Sequence, residues 1–491
     1  MKRFLLIVTL IPALLAGQAK KDLKFGLVLS GGGAKCMAQI GALKVIEEAG
    51  IKLDYIGGTS MGAIIGAMYS LGYSANEIEG YLRQVNWDAL MANEVPRNRL
   101  SFFDRKADDR YFLSFPLTKN GIEVPQGINY AQYILKELSS ITQQSYPYQS
   151  FKELPIPFYC LATNLETGKA KVFEEGRLID ALRASSAFPS LFTPYEIDDS
   201  LYIDGGVVLN YPVKIMREKD VDVVIGVDMQ DYLNEREELN SVIRVLEQTT
   251  AFLNSRNKGD SEALTDIWIT PKIPAAGINS FELFDSIVAE GEREARKHWD
   301  ALVELAAADP IKAELKDKAT PKREFYVQKI EVNGLKSLTR NYVLGKLRLK
   351  EGRPCKLEKL EAGLDQLYGS RYFETVDYTI AKADSGYTLR INLKEQDYYQ
   401  SFKLGLNYSD DFGAALLLNY TNRKLLFKNS RLSVDLALGE MPRGELNYFV
   451  DRGFIPTLGI RLRSYRFRYQ NFRNRFAINE KIYQDYSLDL F

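Results

Sequence analysis

Histidine is nearly absent from this chain of 491 residues, which has a single one, His298. A serine nucleophile ordinarily takes its proton acceptor from histidine, so a catalytic serine here must use that residue or do without. His298 stands in a highly charged helical stretch, residues 290–305, where a solvated face is its ordinary explanation. Cysteine is also scarce. Cys36, Cys160 and Cys355 are odd in number and far apart, which excludes a disulfide framework and leaves them as small buried residues. Neither sign of charge is in excess, with Lys plus Arg and Asp plus Glu at 64 each. No global field draws in nucleic acid, and no nucleic-acid partner is expected. Beyond the N-terminus there is no run of the ~20 apolar residues that a membrane-spanning helix needs.

The N-terminus itself is informative. Basic Lys2 and Arg3 precede an apolar run over 4–11 and a small-x-small pattern ending at Ala19. Residues 1–19 are therefore expected to be a signal peptide that exports the chain. At ~150 residues per domain, the length suggests about three domains.

Tyr55-Ile56-Gly57-Gly58-Thr59-Ser60-Met61-Gly62 reads Gly-x-Ser-x-Gly between a strand-like run and a helix-like run. This is the spacing of a nucleophile elbow, in which a strained serine needs neighbours without side chains at Gly58 and Gly62. Alone, the pattern is short enough to be a plain turn. Upstream, the apolar run over 25–30 leads into Gly31-Gly32-Gly33-Ala34-Lys35-Cys36 and then a helical pattern over 37–49. A phosphate-binding P-loop would need Gly-Lys followed by Ser or Thr, which is absent. A dinucleotide fingerprint is nearer, with Gly31, Gly33 and an acid at Asp54, but Cys36 replaces its third glycine. The reading placed first is that Gly31, Gly32 and Gly33 present backbone N–H groups to an oxyanion. Lys35 is read as a solvated side chain rather than a headgroup ligand.

Residues 72–150 alternate short helical stretches, at 75–85 and 130–139, with loops. Their aromatics Phe102, Phe103, Tyr111, Phe112 and Phe115 would either line a lipid pocket or pack in a core. A buried strand is expected over 157–163 and a short helix over 179–187. Next, Leu201-Tyr202-Ile203-Asp204-Gly205-Gly206 ends an apolar run on an aspartate. With histidine so scarce, a carboxylate such as Asp204 is the better base for Ser60.

With Gly31–Gly33, Ser60 and the Asp204-Gly205-Gly206 triplet in hand, residues 24–318 resemble a patatin-like phospholipase domain. The block Ala184-Ser185-Ser186-Ala187-Phe188-Pro189 adds to the likeness. The resemblance implies an α/β three-layer hydrolase with a Ser60/Asp204 dyad, a glycine-loop oxyanion hole, no cofactor and no metal. The family's loop usually continues with arginine and glycine, whereas Lys35 and Cys36 stand there in this chain.

Another buried strand follows at 222–228, with helical patterns over 240–254 and 281–308. A charged, proline-containing linker is expected at 309–323. Residues 325–396 then read strand, helix, helix, strand, strand, with a break at Gly352-Arg353-Pro354, and resemble a POTRA domain of α+β type. From residue 398 to 491 the period becomes two: Phe402, Leu404, Leu406 and Tyr408 alternate with polar residues, as do Leu432, Val434, Leu436 and Leu438. About six antiparallel strands are expected, part of an outer-membrane β-barrel. The phase of the apolar residues flips between Arg463 and Arg466, which suggests a bulge, and Phe491 is out of phase with Tyr486, Leu488 and Leu490. The domain order resembles the patatin-fused, single-chain type V secretion proteins, either with a truncated barrel or with one completed by a second copy in a homodimer. The expected function is acyl hydrolysis of phospholipid by a domain anchored in outer-membrane lipid, on the periplasmic or the cell-surface side. The alternative is a translocation or assembly protein whose first domain has lost catalysis.

Overall fold

A computed structural model describes residues 23–491 apart from 120, 124–126, 231–232, 234–235, 237–238, 257, 275, 309–322, 411, 452, 454–456 and 474–475. The expected signal peptide and almost all of the expected linker lie outside the described residues. No described helix is long and apolar enough to cross a membrane. The chain divides into two compact bodies. Of the described residues, those within 1–85, 148–188 and 194–319 form one, and those within 86–147, 189–193 and 320–491 the other.

The first body is built on one sheet. In order across it run Ile267–Ile269, Val223–Val227, β1 (Phe25–Leu29), β2 (Tyr55–Thr59), Phe158–Asn164, Ser200–Asp204 and Tyr195–Ile197. The first five are parallel and Ser200–Asp204 is antiparallel to Phe158–Asn164. Side chains alternate across the strands, and both faces are covered. Val28, Tyr159, Leu161 and Val224 pack on Tyr211, Val213 and Met216. On the other face Leu29, Ile56 and Phe158 close around Gly66 of α2 (Met61–Ser70). α1 (Met37–Ala49) follows the glycine loop. The helix expected over 281–308 is two helices, Phe284–Arg296 and Trp299–Ala308, with His298 at their junction.

The second body carries an α+β unit whose strands run in the order Arg353–Lys356, Glu324–Asn333, Gly386–Glu395 and Phe373–Ala383. Its helices are Arg340–Leu347 and Leu357–Tyr368. The expected break at Gly352-Arg353-Pro354 is only half right: Arg353–Lys356 is itself a strand, paired with residues 324–327. Pro354 is tolerated there because the strand is short and at the sheet edge.

Six long antiparallel strands follow: Gln400–Ser409, Gly413–Asn422, Ser430–Gly439, Arg443–Val450, Leu458–Arg473 and Phe476–Leu490. The short strands Leu113–Thr118 and Gly121–Ile122 extend this sheet beside Gln400–Ser409, and the sheet is open. Its pattern is inverted relative to a soluble protein. Pairing aligns Phe402, Tyr420, Val434, Leu446, Leu462 and Leu488 in one row, and Leu406, Leu416 and Leu438 in another. Yet Leu406 is 71% exposed, Leu438 50% and Leu488 66%, while Asn419, Thr421, Glu445 and Asn447 on the opposite face are buried. An apolar exposed face with a polar covered one suits strands that meet lipid, not a water-soluble sandwich.

The expected bulge near Arg463 is corrected. The pairing of the last two strands is regular from Ile460 to Asn471 and shifts only between Asn471 and Phe472. The change in sequence phase marks where the outward face turns polar at Arg466 and Arg468, not an extra residue. Phe491 leaves the lipid-side row, and its ring packs near Phe103 at 5.3 Å.

The aromatics of 102–115 also go to this sheet. Phe103 stacks on Phe449 at 4.7 Å, the Tyr111 hydroxyl donates to Asp435 at 2.6 Å, and Phe115 pairs opposite Phe402. Phe112 is 66% exposed, and the side chain of Phe102 is outside those described. Residues 86–147 pack within the second body.

Candidate active site

Adjacent parallel strands place their following loops at the same sheet edge. β1 and β2 are such neighbours, so the loop at Gly31–Gly33 and the turn at Ser60 meet there. Asp204 arrives from an antiparallel strand, and register brings it level: Thr59 pairs with Leu161, and the next residue, Ala162, pairs with Asp204.

Ser60 has φ 54° and ψ −127°, a strained backbone for a residue with a side chain, immediately before α2. Its neighbours make this possible. A Cβ at Gly62 would lie 2.3 Å from the Ser30 carbonyl oxygen, and one at Gly58 would lie 2.7 Å from that of Gly62. The Ser60 hydroxyl donates to Asp204 Oδ2 at 2.6 Å, and Gly206 N–H donates to Asp204 Oδ1 at 2.8 Å. Asp204 is 4% exposed. Burial raises its carboxyl to about 6, against the pull of the bonds from Ser60 and Gly206.

The glycine loop is held by Ser30. Its carbonyl accepts from Gln39 Nε2 at 2.7 Å and from the Cys36 thiol at 3.4 Å, and its hydroxyl accepts from Met229 N–H at 2.7 Å. Gly33 has φ +58°, and a Cβ on it would lie 2.2 Å from the Ile278 carbonyl oxygen. Cys36 is fully buried behind the loop, and burial pushes its thiol well above the usual range. Lys35, expected to be solvated, is only 6% exposed and so belongs to the packed loop.

The three glycines are not equivalent. Gly31 N–H already donates to Asn210 Oδ1 at 3.0 Å, and Gly31 C=O accepts from Asn210 Nδ2 at 3.1 Å. Among the described residues, no hydrogen bond occupies the N–H groups of Gly32 and Gly33. Asn210 in turn donates its backbone N–H to Asn254 Oδ1 at 3.0 Å, and Asn254 Nδ2 donates to Gly206 C=O at 2.8 Å. Two asparagines thereby tie the glycine loop to the aspartate loop. Ser185 Oγ accepts the Ser60 backbone N–H at 2.9 Å, and Thr163 Oγ1 donates to Asp204 C=O at 2.9 Å. Sequence reasoning missed Asn210, Asn254, Ser185 and Thr163. Only Ser185 stood in a noted motif, and nothing local marks the others.

The remaining candidates stay apart from this cluster. His298 N–H donates to the Ala295 carbonyl, and its own carbonyl accepts from Leu302 N–H, a helix-junction role. Asp54, the acid of the dinucleotide reading, clamps Phe25: its carboxylate accepts Phe25 N–H at 2.8 Å and its own N–H donates to Phe25 C=O at 2.8 Å.

Three family models match the chain. Residues 27–217 match the patatin-like phospholipase profile. Residues 325–396 match POTRA, described as surface antigen variable number repeat, and 387–489 match the OMP85 superfamily. The chain joins a patatin-like phospholipase domain to a POTRA domain and an OMP85-superfamily segment. The three matches follow one another along the chain in that order. Lysophospholipase NTE1 of Saccharomyces cerevisiae is 30% identical over 218 residues, 44% of this chain and 11% of the relative. The Phaeosphaeria nodorum protein of the same name is 29% identical over 205 residues, 42% and 12%. The chain thus spans about a tenth of the length of these relatives. The crystal structure of VipD from Legionella pneumophila overlaps 57% of this chain and 67% of its own, with 15% identity and a TM-score of 0.32.

Proposed function

We propose that the patatin-like domain is a serine acyl hydrolase that cleaves fatty-acyl esters of membrane phospholipids, with Ser60 as nucleophile and Asp204 as base. The observation that carries this reading is the 2.6 Å bond from Ser60 Oγ to Asp204 Oδ2 at a serine of positive φ. Asp204 takes the hydroxyl proton as Ser60 Oγ attacks the ester carbonyl. The N–H groups of Gly32 and Gly33 receive the developing oxyanion, while Gly31, engaged by Asn210, holds the loop in place. Collapse of the tetrahedral intermediate expels the lipid alcohol, which recovers the proton from Asp204. Water, activated by the same carboxylate, then releases the fatty acid. The exported chain would be anchored by its lipid-facing strands.

The test is fluorophosphonate labelling of the full chain in detergent, with Ser60→Ala alongside, and fatty-acid release from mixed phospholipids. Labelling confined to the wild-type chain, with release lost in Ser60→Ala and Asp204→Asn, is expected. Equal release by either variant would refute the dyad. A folded, unlabelled wild-type chain would favour the second reading, a translocation or assembly protein with a silent first domain, which the POTRA and OMP85 matches support.

A further inference from the structure

The second body holds a partly open cavity of about 220 Å³ whose lining charge is one-sided. Five basic side chains line it, Arg99, Lys346, Arg348, Arg423 and Arg431, against two acidic ones, Asp104 and Asp451. Arg423 and Arg431 are 7% and 4% exposed, and Asp104 is 4% exposed. Both guanidinium groups lean on a single carboxylate oxygen: Arg431 Nη1 donates to Asp104 Oδ1, and Arg423 Nη2 lies 3.5 Å from the same atom. The other oxygen, Oδ2, accepts from the Ser101 hydroxyl, so this carboxylate has little left to offer. Lys346 is engaged by Asp451. The Nε–H groups of Arg423 and Arg431 are buried with no acceptor among the described residues.

Two buried guanidiniums, each with an unmet Nε–H donor, around one carboxylate make an incomplete arrangement. A buried ion that lacks partners is costly, and a bound anion supplies both the charge and the missing acceptors. Planar guanidiniums in pairs suit tetrahedral oxyanions, which accept several charge-assisted bonds at once. Size narrows the ligand further. The cavity is smaller than the ~300–1,000 Å³ of pockets that take whole drug-sized molecules, and five basic side chains line it, so it fits a compact anion better than an acyl chain. We infer that this cavity is a binding site for a phosphate-bearing anion, with Arg423 and Arg431 as its principal ligands and Arg99 at its margin. The site is separate from Ser60 and does not depend on hydrolysis.

The test uses the full chain in detergent at constant ionic strength set with chloride. Thermal unfolding and titration calorimetry are followed with inorganic phosphate in one arm and short-chain phosphatidic acid in the other. A saturable rise in unfolding temperature in either arm is expected, weakened about 10-fold or more in apparent affinity by Arg423→Gln or Arg431→Gln. Saturation with phosphatidate alone would assign the anion to a lipid headgroup, and saturation with both to phosphate as such. Because these arginines also hold Asp104, Arg99→Gln supplies a second variant that leaves that contact intact and should weaken binding several-fold. Absence of a saturable shift in both arms, or equal shifts in wild type and folded variants, would overturn the site.

Discussion

Asp204 is the residue on which the proposed chemistry and the stability of the fold pull in opposite directions. Its folded carboxyl is raised to about 6 by burial, so it titrates above the ~3.9 of an unfolded aspartate. The protonated form is the one the fold prefers. Its contribution to stability is therefore complete below about pH 4 and is lost as pH rises through 6, amounting to about 3 kcal/mol at most. The base is needed ionised, so hydrolysis should rise with pH through about 6 and then level off. Asp204→Asn should abolish that activity yet unfold at the same or a higher temperature at pH 8, measurable by calorimetry beside an ester assay. Asn210 makes the converse case. Truncation to Ala frees the Gly31 peptide that it holds by both its N–H and its C=O, so kcat should fall by ~100-fold, the scale of losing an oxyanion donor. KM should change little, because Asn210 does not face the acyl group in the proposed mechanism. A variant with normal kcat would remove Asn210 from the machinery.

At the scale of elements, the POTRA unit shows how one carboxylate can secure a chain reversal. Glu395, at the end of strand Gly386–Glu395, is fully buried and accepts N–H groups of Lys336, Ser337 and Leu338 and the Ser337 hydroxyl. Burial would raise its carboxyl, but these bonds outweigh it and hold it below the usual range. A lowered folded value stabilises above the unfolded value of ~4.3, and the gain disappears as pH falls through the folded one. Glu395→Gln should cost about 1.5–3 kcal/mol at neutral pH and flatten the acid limb of a stability curve. An unchanged acid limb would mean that another group controls it. Elements were partly legible beforehand: helices and strands with clear periodicity stand close to where the pattern put them. The strand Arg353–Lys356 was hidden because Pro354 reads as a breaker unless its edge position is known.

Across the whole molecule, the outward apolar rows should behave as a lipid contact. Leu438 is half exposed in the row shared with Leu406 and Leu416. A charge placed there would cost ~2–4 kcal/mol near the bilayer midplane and little in water. Leu438→Arg should reduce insertion into vesicles, scored by flotation, while leaving ester hydrolysis in detergent intact. Insertion equal to wild type would argue against a membrane role for this face. Residues 86–147 also bear on this scale, since their strand Leu113–Thr118 adds to the same sheet and Lys106 reaches Glu445 on its polar face.

Local chemistry was enough for some conclusions. Ser60, Gly58 and Gly62 are constrained by a strained turn, Gly33 by a positive φ, and the strands after residue 398 by their two-residue period, so each left a mark in the order of residues. The single histidine turned attention to a carboxylate base, and the resemblance of Asp204-Gly205-Gly206 to the patatin-like motif implied Asp204 among the 64 acidic residues. Only the tertiary structure decided which glycine N–H groups remain open, since Asn210 is 179 positions from Gly31. It also decided that Lys35 is buried, that residues 86–147 pack with the second body, and that Asp104 meets Arg423 and Arg431 more than three hundred positions away. The physical reason is the same in each case: hydrogen bonds and ion pairs between distant segments depend on sheet order and register, which impose no period or spacing on the sequence itself.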